Sequence, residues 1–416
     1  MTGPTTDLLH RSLLFFFVLF VVATTFSIAL SQTALGVSLV LFIVICIKDR
    51  FQPFVSPLKW VWLFVGLYVF WLLLASLLGA TPLRSILIAK EEWLFLIMPI
   101  TVFLARDDRT RRLLVTAFAF GVGLISLYGI LQAFTGMAWL KLVGGRFVNV
   151  PILDVQGNFN NCMTFGNYCV TAGCFLLGLG LSSDNQSGWR RRLYVVAGLL
   201  AIVTTALTLR RGAIAAAVVT LALFAVLHRS KKRWLLVALS AAIVATILTA
   251  PGLQWRFGEK AVKDLNTTNP SSRVYIWTRS LDIVKHHPVF GVGQGNFYDE
   301  YVSRLPADIP PERKLTHAHN DFINVAAIAG IPGALFLAGI WLAVLHLMWH
   351  AYRNKRFSPN DRAFCLAAFL GAVAFLITSL IEATFADEEV RQMLMFVWAI
   401  GLATVYKESE RPTQTA

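Results

Sequence analysis

Charge is scarce in this sequence. Only 14% of its 416 residues are Asp, Glu, Lys or Arg, against about 25% in an average soluble domain. With 56% hydrophobic and 12% aromatic residues, the chain has too few polar side chains to cover a water-facing globule and too many apolar ones to stay disordered. Cysteine is sparse as well. Cys46, Cys162, Cys169, Cys174 and Cys365 make no Cys-x-x-Cys pair and have no His at zinc spacing, which leaves packing within apolar segments as their role. No internal repeat of the kind that builds many secondary transporters is present. Acid is the scarcer sign of charge: 23 Asp and Glu face 37 Lys and Arg, a net +14.

What the sequence has in quantity is long apolar runs. Twelve segments approach the roughly 20 residues that a helix needs to cross a bilayer core: 12–30, 34–47, 58–79, 86–105, 113–134, 163–181, 193–209, 212–228, 234–250, 319–349, 363–385 and 392–406. Lys and Arg concentrate in every second connection, including Arg106 to Arg112, Arg190 to Arg192, Arg229 to Arg233 and Arg353 to Arg362. Short cytoplasmic loops carry that excess, so both termini are expected inside. The expected organisation is nine spans over 1–250 with an outer loop near 135–162, a long outer loop over 251–318, three spans over 319–406, and a tail over 407–416. Ala29-Leu30-Ser31 resembles a signal cleavage site, but the apolar run before it is too long, and the first span is expected to be retained.

Within such a chain the informative positions are polar groups where none is needed. Thr208-Leu209-Arg210-Arg211-Gly212 interrupts apolar sequence on the side that should be poor in arginine. Arg210 and Arg211 either snorkel toward headgroups or offer their fixed fork of donors to an anion such as phosphate. Ser271-Ser272 predicts a cap for a helix starting near Arg273, with Val274, Trp277, Leu281 and Val284 as an apolar stripe and Pro288 as its stop. That helix is expected to lie on the membrane surface with the stripe down. Gly291-x-Gly293-x-Gly295 follows, a weak phosphate signal without a preceding strand.

Leu315-Thr316-His317-Ala318-His319-Asn320 stands where the long loop returns to the bilayer as a helix. A helix N-terminus favours a neutral histidine base; metal binding by His317 and His319, or plain hydrogen bonding, are the alternatives. Asp387-x-Glu389 reads as a divalent-cation pair or as a solvated turn, and Arg391 is a further candidate for an anion site. The loop from Thr135 to Asn161 carries Trp139, Lys141, Arg146 and the run Gln156-Gly157-Asn158-Phe159-Asn160-Asn161. Such a mixture of amides, aromatics and glycines suits carbohydrate and equally suits an ordinary loop.

In this order the pieces resemble the O-antigen ligase family, which also contains O-antigen polymerases and bacterial protein O-oligosaccharyltransferases. The resemblance rests on Arg211-Gly212-Ala213 opening a span, on Arg273 with Trp277 and the run Pro288 to Phe297, and on His317-Ala318-His319-Asn320. His319-Asn320, nine residues, Gly330, two residues and Gly333 fit the family's ligase signature.

The resemblance implies an all-α, polytopic membrane protein of GT-C-like architecture, with about twelve transmembrane helices and short interfacial helices in a long periplasmic loop. It implies a glycosyltransferase of the bacterial inner membrane, with its active site on the periplasmic face. O-antigen polysaccharide would pass from undecaprenyl pyrophosphate to lipid A-core oligosaccharide, with inversion and without metal, nucleotide or other cofactor. His319 would be the base, and Arg211 and Arg273 would clamp the pyrophosphate. Arg210, Arg146, His317, Asn320 and Arg391 would be substrate-binding. Its partners would be those two glycolipids and membrane lipids, not nucleic acid. A polymerase or protein O-oligosaccharyltransferase with the same donor is the alternative, and a twelve-span transporter a more distant one.

Overall fold

The computed structural model describes residues 4–49, 57–143, 146–149, 155–182, 188–228, 233–249, 254–255, 257–306 and 315–409. The elements run α1 (Pro4–Ala23), α2 (Ile28–Asp49), α3 (Lys59–Leu78), α4 (Pro82–Ala89), a 3-10 helix (Lys90–Leu96), α5 (Ile97–Ala105) and α6 (Asp108–Thr135). An antiparallel hairpin follows, β1 (Met137–Val143) with β2 (Arg146–Asn149), pairing Met137 with Asn149 and Val143 with Arg146. Then come α7 (Cys162–Ser182), α8 (Gly188–Leu207), α9 (Arg211–Leu227) and α10 (Arg233–Thr249). The long loop holds α11 (Glu259–Asp264), α12 (Arg273–His286) and α13 (Phe297–Ser303). The chain closes with α14 (Asp321–Arg353), α15 (Pro359–Ser379), a 3-10 turn (Thr384–Ala386) and α16 (Glu388–Ser409).

Six described helices, α2, α3, α6, α7, α14 and α15, are long and apolar enough to cross a membrane, and α1, α9 and α10 add shorter apolar helices. Phe70, Phe134 and Leu342 are 63%, 78% and 70% exposed on the outer surface, an arrangement that lipid accepts and water does not. The architecture is a polytopic helical membrane protein.

Two expected boundaries move. The run 12–30 is not one rod: α1 ends at Ala23 and α2 starts at Ile28. Between them the hydroxyls of Thr24 and Thr25 donate to the carbonyls of Val21 and Val22 at 2.8 and 2.7 Å, closing the last turn. The second segment thereby gains the length it lacked in sequence. The fourth segment, 86–105, is broken at Lys90-Glu91-Glu92, where the backbone tightens to 3-10 geometry and Glu92 meets Arg391 at 2.9 Å.

α7 is buried on all sides, as a helix apolar around its whole circumference should be. Gly166, Gly173 and Gly178 let it approach Thr208, Ala201 and Ala367 closely, the small-residue packing that membrane helices favour. Cys169 and Cys174 on α7 and Cys365 on α15 are buried, and none is disulfide-bonded. One end of the bundle is tied by Arg111, which reaches Asp108 and Asp361 at 2.6 Å each, while Lys407 reaches Asp108 at 2.7 Å. The candidate site lies at the other end.

The glycine run has a structural use. In α14, Gly330 leaves helical geometry at φ +72, and Pro332 follows with no N–H to give. The carbonyls of Ala327, Ile328 and Ala329 therefore lose their usual donors. They accept instead from Val292 N, Gly293 N and Trp71 Nε1 at 2.9, 2.9 and 2.8 Å, and Ile331 N donates to Pro288 O at 2.8 Å. A Cβ at Gly330 would lie 1.9 Å from the Val289 carbonyl oxygen, so only glycine fits. The Gly291 to Gly295 run is thus a loop docked on a helix kink.

α12 differs from expectation in the face it packs. Ser272 caps it, its side chain accepting from Tyr275 N at 3.1 Å. Its buried residues are Tyr275, Ile276, Ser280, Ile283 and Val284; of the expected stripe only Val284 is among them, and Leu281 is 46% exposed. Ile276 and Ile283 join Phe297, Leu315 and Ala327 in a small core against the first half of α14. Protein, rather than the membrane surface, covers most of this helix's apolar face.

Candidate functional site

α14 begins at Asp321 because Asn320 caps it: the Asn320 side chain accepts from Ile323 N at 3.0 Å. Its amide nitrogen donates to Leu380 O at 2.9 Å. Asp321, in the first turn, takes the Phe385 N–H on both carboxylate oxygens at 3.0 Å. These bonds hold the 380–385 connection against the start of α14.

Glu382, in that connection, meets His319 Nδ1 at 2.8 Å through Oε2 and pairs with Arg273 through Oε1. The His319 side chain is 20% exposed, and no hydrogen bond among the described residues occupies its Nε2. With Nδ1 donating to the carboxylate, Nε2 carries the lone pair. His319 sits at φ +50, a conformation that costs a non-glycine residue about 1–2 kcal/mol. Neighbours hold it there: Trp277 Nε1 donates to its carbonyl at 3.3 Å, and its own N–H donates to His317 Nδ1 at 3.3 Å. Arg273 and Trp277 are one turn apart on α12, so one face of that helix supplies both.

Burial pushes the His317 imidazole down to about 4, with His319 and Arg273 adding to the effect. Its ring stands edge-on to that of His319, with centroids 4.4 Å apart. Burial alone would raise the Glu382 carboxyl, but the His319 hydrogen bond and the Arg273 charge hold it below the usual carboxylate range. The corner therefore keeps an anionic Glu382 under two nitrogen donors, beside a neutral His317.

Arg210 is the N-cap residue of α9 and Arg211 its first residue, after Leu209 at φ +54. Arg211 pairs with Asp264 at the end of α11. Gly212 packs near Ile381, where an added Cβ would come within 3.7 Å. The arginine turn thus lies beside the residue preceding Glu382, and three distant stretches of sequence meet around 380–382.

Other candidates fall elsewhere. Arg391 is buried and pairs with Glu92 at 2.9 Å and Glu91 at 3.5 Å, behind Phe385, whose ring it covers. Arg146 is in β2, with its side chain outside the described residues, as are Arg229 among the topology signals and Arg313 and Lys314 in the long loop. Asp387 turns toward α7, accepting from Thr164 Oγ1 at 2.8 Å, and burial pushes its carboxyl up to about 7. No group of three His, Cys, Asp or Glu among the described residues is assembled to hold a metal ion.

Sequence reasoning placed Glu382 only at the head of the polar stretch 382–391, without a role, and assigned none to Asp321 or Asp264. Placing the eleventh span at 363–385 set Glu382 inside it, and an acid at the edge of a span was itself a signal.

Residues 196–338 match the family profile described as O-antigen ligase. The matched stretch, about a third of the chain, contains Arg210, Arg211, Arg273, His317, His319, Asn320 and the Gly330 kink. Glu382 and Arg391 lie beyond it. No curated protein matches the chain.

Proposed function

We propose, with the O-antigen ligase match as premise, that this chain transfers O-antigen polysaccharide from undecaprenyl pyrophosphate to lipid A-core oligosaccharide. The reaction is assigned to the periplasmic face of the bacterial inner membrane, in a chain crossing it twelve times with both termini inside. The observation that carries the reading is the His319 imidazole, oriented by Glu382, with Arg273 on the same carboxylate.

In this reading Nε2 of His319 accepts the proton of the acceptor hydroxyl as its oxygen attacks the anomeric carbon. Glu382 fixes the tautomer and stabilises the imidazolium that forms. The bond from that carbon to the pyrophosphate oxygen breaks, and its electron pair leaves on the pyrophosphate. Attack from the face opposite the leaving group inverts the sugar carbon. Pyrophosphate is a weak base, so the leaving group needs charge stabilisation more than a proton. Each guanidinium has five N–H donors; the ion pairs of Arg211 with Asp264 and Arg273 with Glu382 leave others for phosphate oxygens. Arg210 and Asn320 flank the same corner, and the reading assigns no cofactor.

Purified protein incubated with undecaprenyl pyrophosphate-linked glycan and rough lipopolysaccharide in EDTA should yield a ladder of extended lipopolysaccharide. Product formed only when a second lipid-linked glycan or a peptide is offered would move the activity to polymerase or protein glycosylation, and no transfer to any acceptor would overturn the reading.

A further inference from the structure

Three consecutive residues where the chain enters α14 grip the connection between α15 and α16. His319 Nδ1 meets Glu382 Oε2 at 2.8 Å, and Asn320 Nδ2 donates to Leu380 O at 2.9 Å. The Asp321 carboxylate accepts from Phe385 N at 3.0 Å on each oxygen and from Thr384 Oγ1 at 3.4 Å. The ties to Leu380 and Phe385 bracket Glu382, one on each side. Residues 380–383 belong to no helix, so these ties do the fixing that regular backbone pairing does for a side chain within a helix or sheet.

Asp321 is buried, 2% exposed. An acid in the first turn of a helix often serves that helix's own amides or its dipole, but Asn320 already caps α14 by accepting from Ile323 N at 3.0 Å. Both Asp321 oxygens are spent on the neighbouring connection instead. What they hold is firmly seated: Phe385 is buried, edge-on to Tyr68 with ring centroids 6.4 Å apart, 6.1 Å from the Phe95 ring and 5.7 Å from the Arg391 guanidinium carbon. On the other side of the bracket, Ile381 N and Glu382 N donate to Thr378 O at 3.0 and 2.9 Å. Asp387, the next Asp along the chain, turns to Thr164.

Glu382 meets His319 with one carboxylate oxygen and Arg273 with the other. A flexible side chain keeps two such partners only while its backbone stays in place. We propose that Asp321 is a positioning residue of this site: by holding the Phe385 N–H it fixes the backbone on which Glu382 stands, and with it the hydrogen bond that selects the His319 tautomer. Asp321 acts through Glu382 and not on substrate. Its kinetic consequence rests on the glycosyltransferase reading above, whereas the state of the His319 ring is measurable without transfer.

The first readout is therefore spectroscopic. In full-length protein carrying isotope-labelled histidine, nitrogen NMR at a pH where the ring is neutral, with His319→Ala to identify the resonances, should find His319 protonated on Nδ1. Asp321→Ala should shift the ring toward the Nε2-protonated tautomer, and Asp321→Asn, which keeps an acceptor for Phe385 N, should retain the original one. Asp321→Glu keeps the acid but moves its oxygens outward by a methylene; it should behave as Asp321→Ala does, and carries the test if the alanine variant does not fold. A His319 tautomer unchanged in both overturns the proposal whether or not transfer is seen. The second readout is transfer. Asp321→Ala should lower kcat about 10²-fold, the cost of displacing a site group by about 1 Å, with the acceptor KM kept and Asp321→Asn recovering most of the loss. In a Glu382→Gln background the same substitution should cost little more, since it acts through that carboxylate. Equal losses in the two backgrounds would mean a structural role alone and overturn the proposal. A tautomer shift in a protein that transfers to no acceptor keeps the positioning role and overturns only the enzyme reading.

Discussion

His319 Nδ1 lies 2.8 Å from Glu382 Oε2, across 63 positions of sequence. The hydrogen bond fixes which nitrogen of the imidazole can act as a base, and it couples the histidine to Arg273 through one carboxylate.

The first prediction follows from that pairing. His319→Ala should lower kcat by about 10²- to 10⁴-fold, the usual worth of a general base, with the protein still inserted in the membrane. Glu382→Gln should lose activity within the same range, and the double variant should be no worse than His319→Ala alone, because the carboxylate acts through the imidazole. Additive losses in single-turnover transfer would separate the two roles.

Arg211→Lys and Arg273→Lys keep the charge and lose the planar fork. If the guanidiniums hold pyrophosphate by paired hydrogen bonds, each substitution should cost at least about tenfold in kcat/KM for the lipid-linked donor, and leave KM for the acceptor unchanged. Kinetics with each substrate varied in turn would reveal it.

Gly330→Ala places a methyl group where the Val289 carbonyl already sits and forces a side chain into φ +72. Destabilisation above about 1–2 kcal/mol is expected from the backbone conformation alone, seen as a lower melting temperature in detergent. Ile331→Ala, at an exposed neighbour on the same helix, is expected to change little.

His317 titrates near 4 in the folded protein, against 6.5 without the fold. The unfolded chain therefore binds a proton between these values that the native state does not, and stability from this group falls as pH drops from about 6.5 to 4. In His317→Phe that part of the slope should vanish. Melting temperatures of the two proteins, compared at matched pH, isolate it from the other acids.

Arg391→Ala should leave both KM values near those of the unaltered protein while destabilising the fold by about 3–5 kcal/mol, because it strands the buried Glu92. Arg391→Met with Glu92→Met should recover much of that loss. A raised donor KM without loss of stability would return Arg391 to the substrate site.

Several candidate-site residues were legible in sequence because each broke a local rule: two arginines in a turn between apolar segments, and histidines where a loop becomes a helix. Glu382 broke its rule less visibly, as one acid near the end of an apolar run. The glycine run was ambiguous in sequence, since Gly-x-Gly-x-Gly marks tight backbone whether the neighbour is phosphate or, as here, the open carbonyls of a kinked helix. The face of α12 was also hidden, because Val274, Trp277 and Leu281 are as apolar as Ile276 and Ile283, and only the position of α14 distinguishes them.

Composition and the spacing of charge determined a polytopic helical membrane protein by themselves, because bilayer thickness and backbone hydrogen bonding allow few other solutions for such a chain. Which polar groups meet was decided only in three dimensions. Hydropathy is a property of segments, whereas the pairing of His319 with Glu382, of Arg211 with Asp264 and of Arg391 with Glu92 depends on how those segments are arranged around α7 and the kink at Gly330.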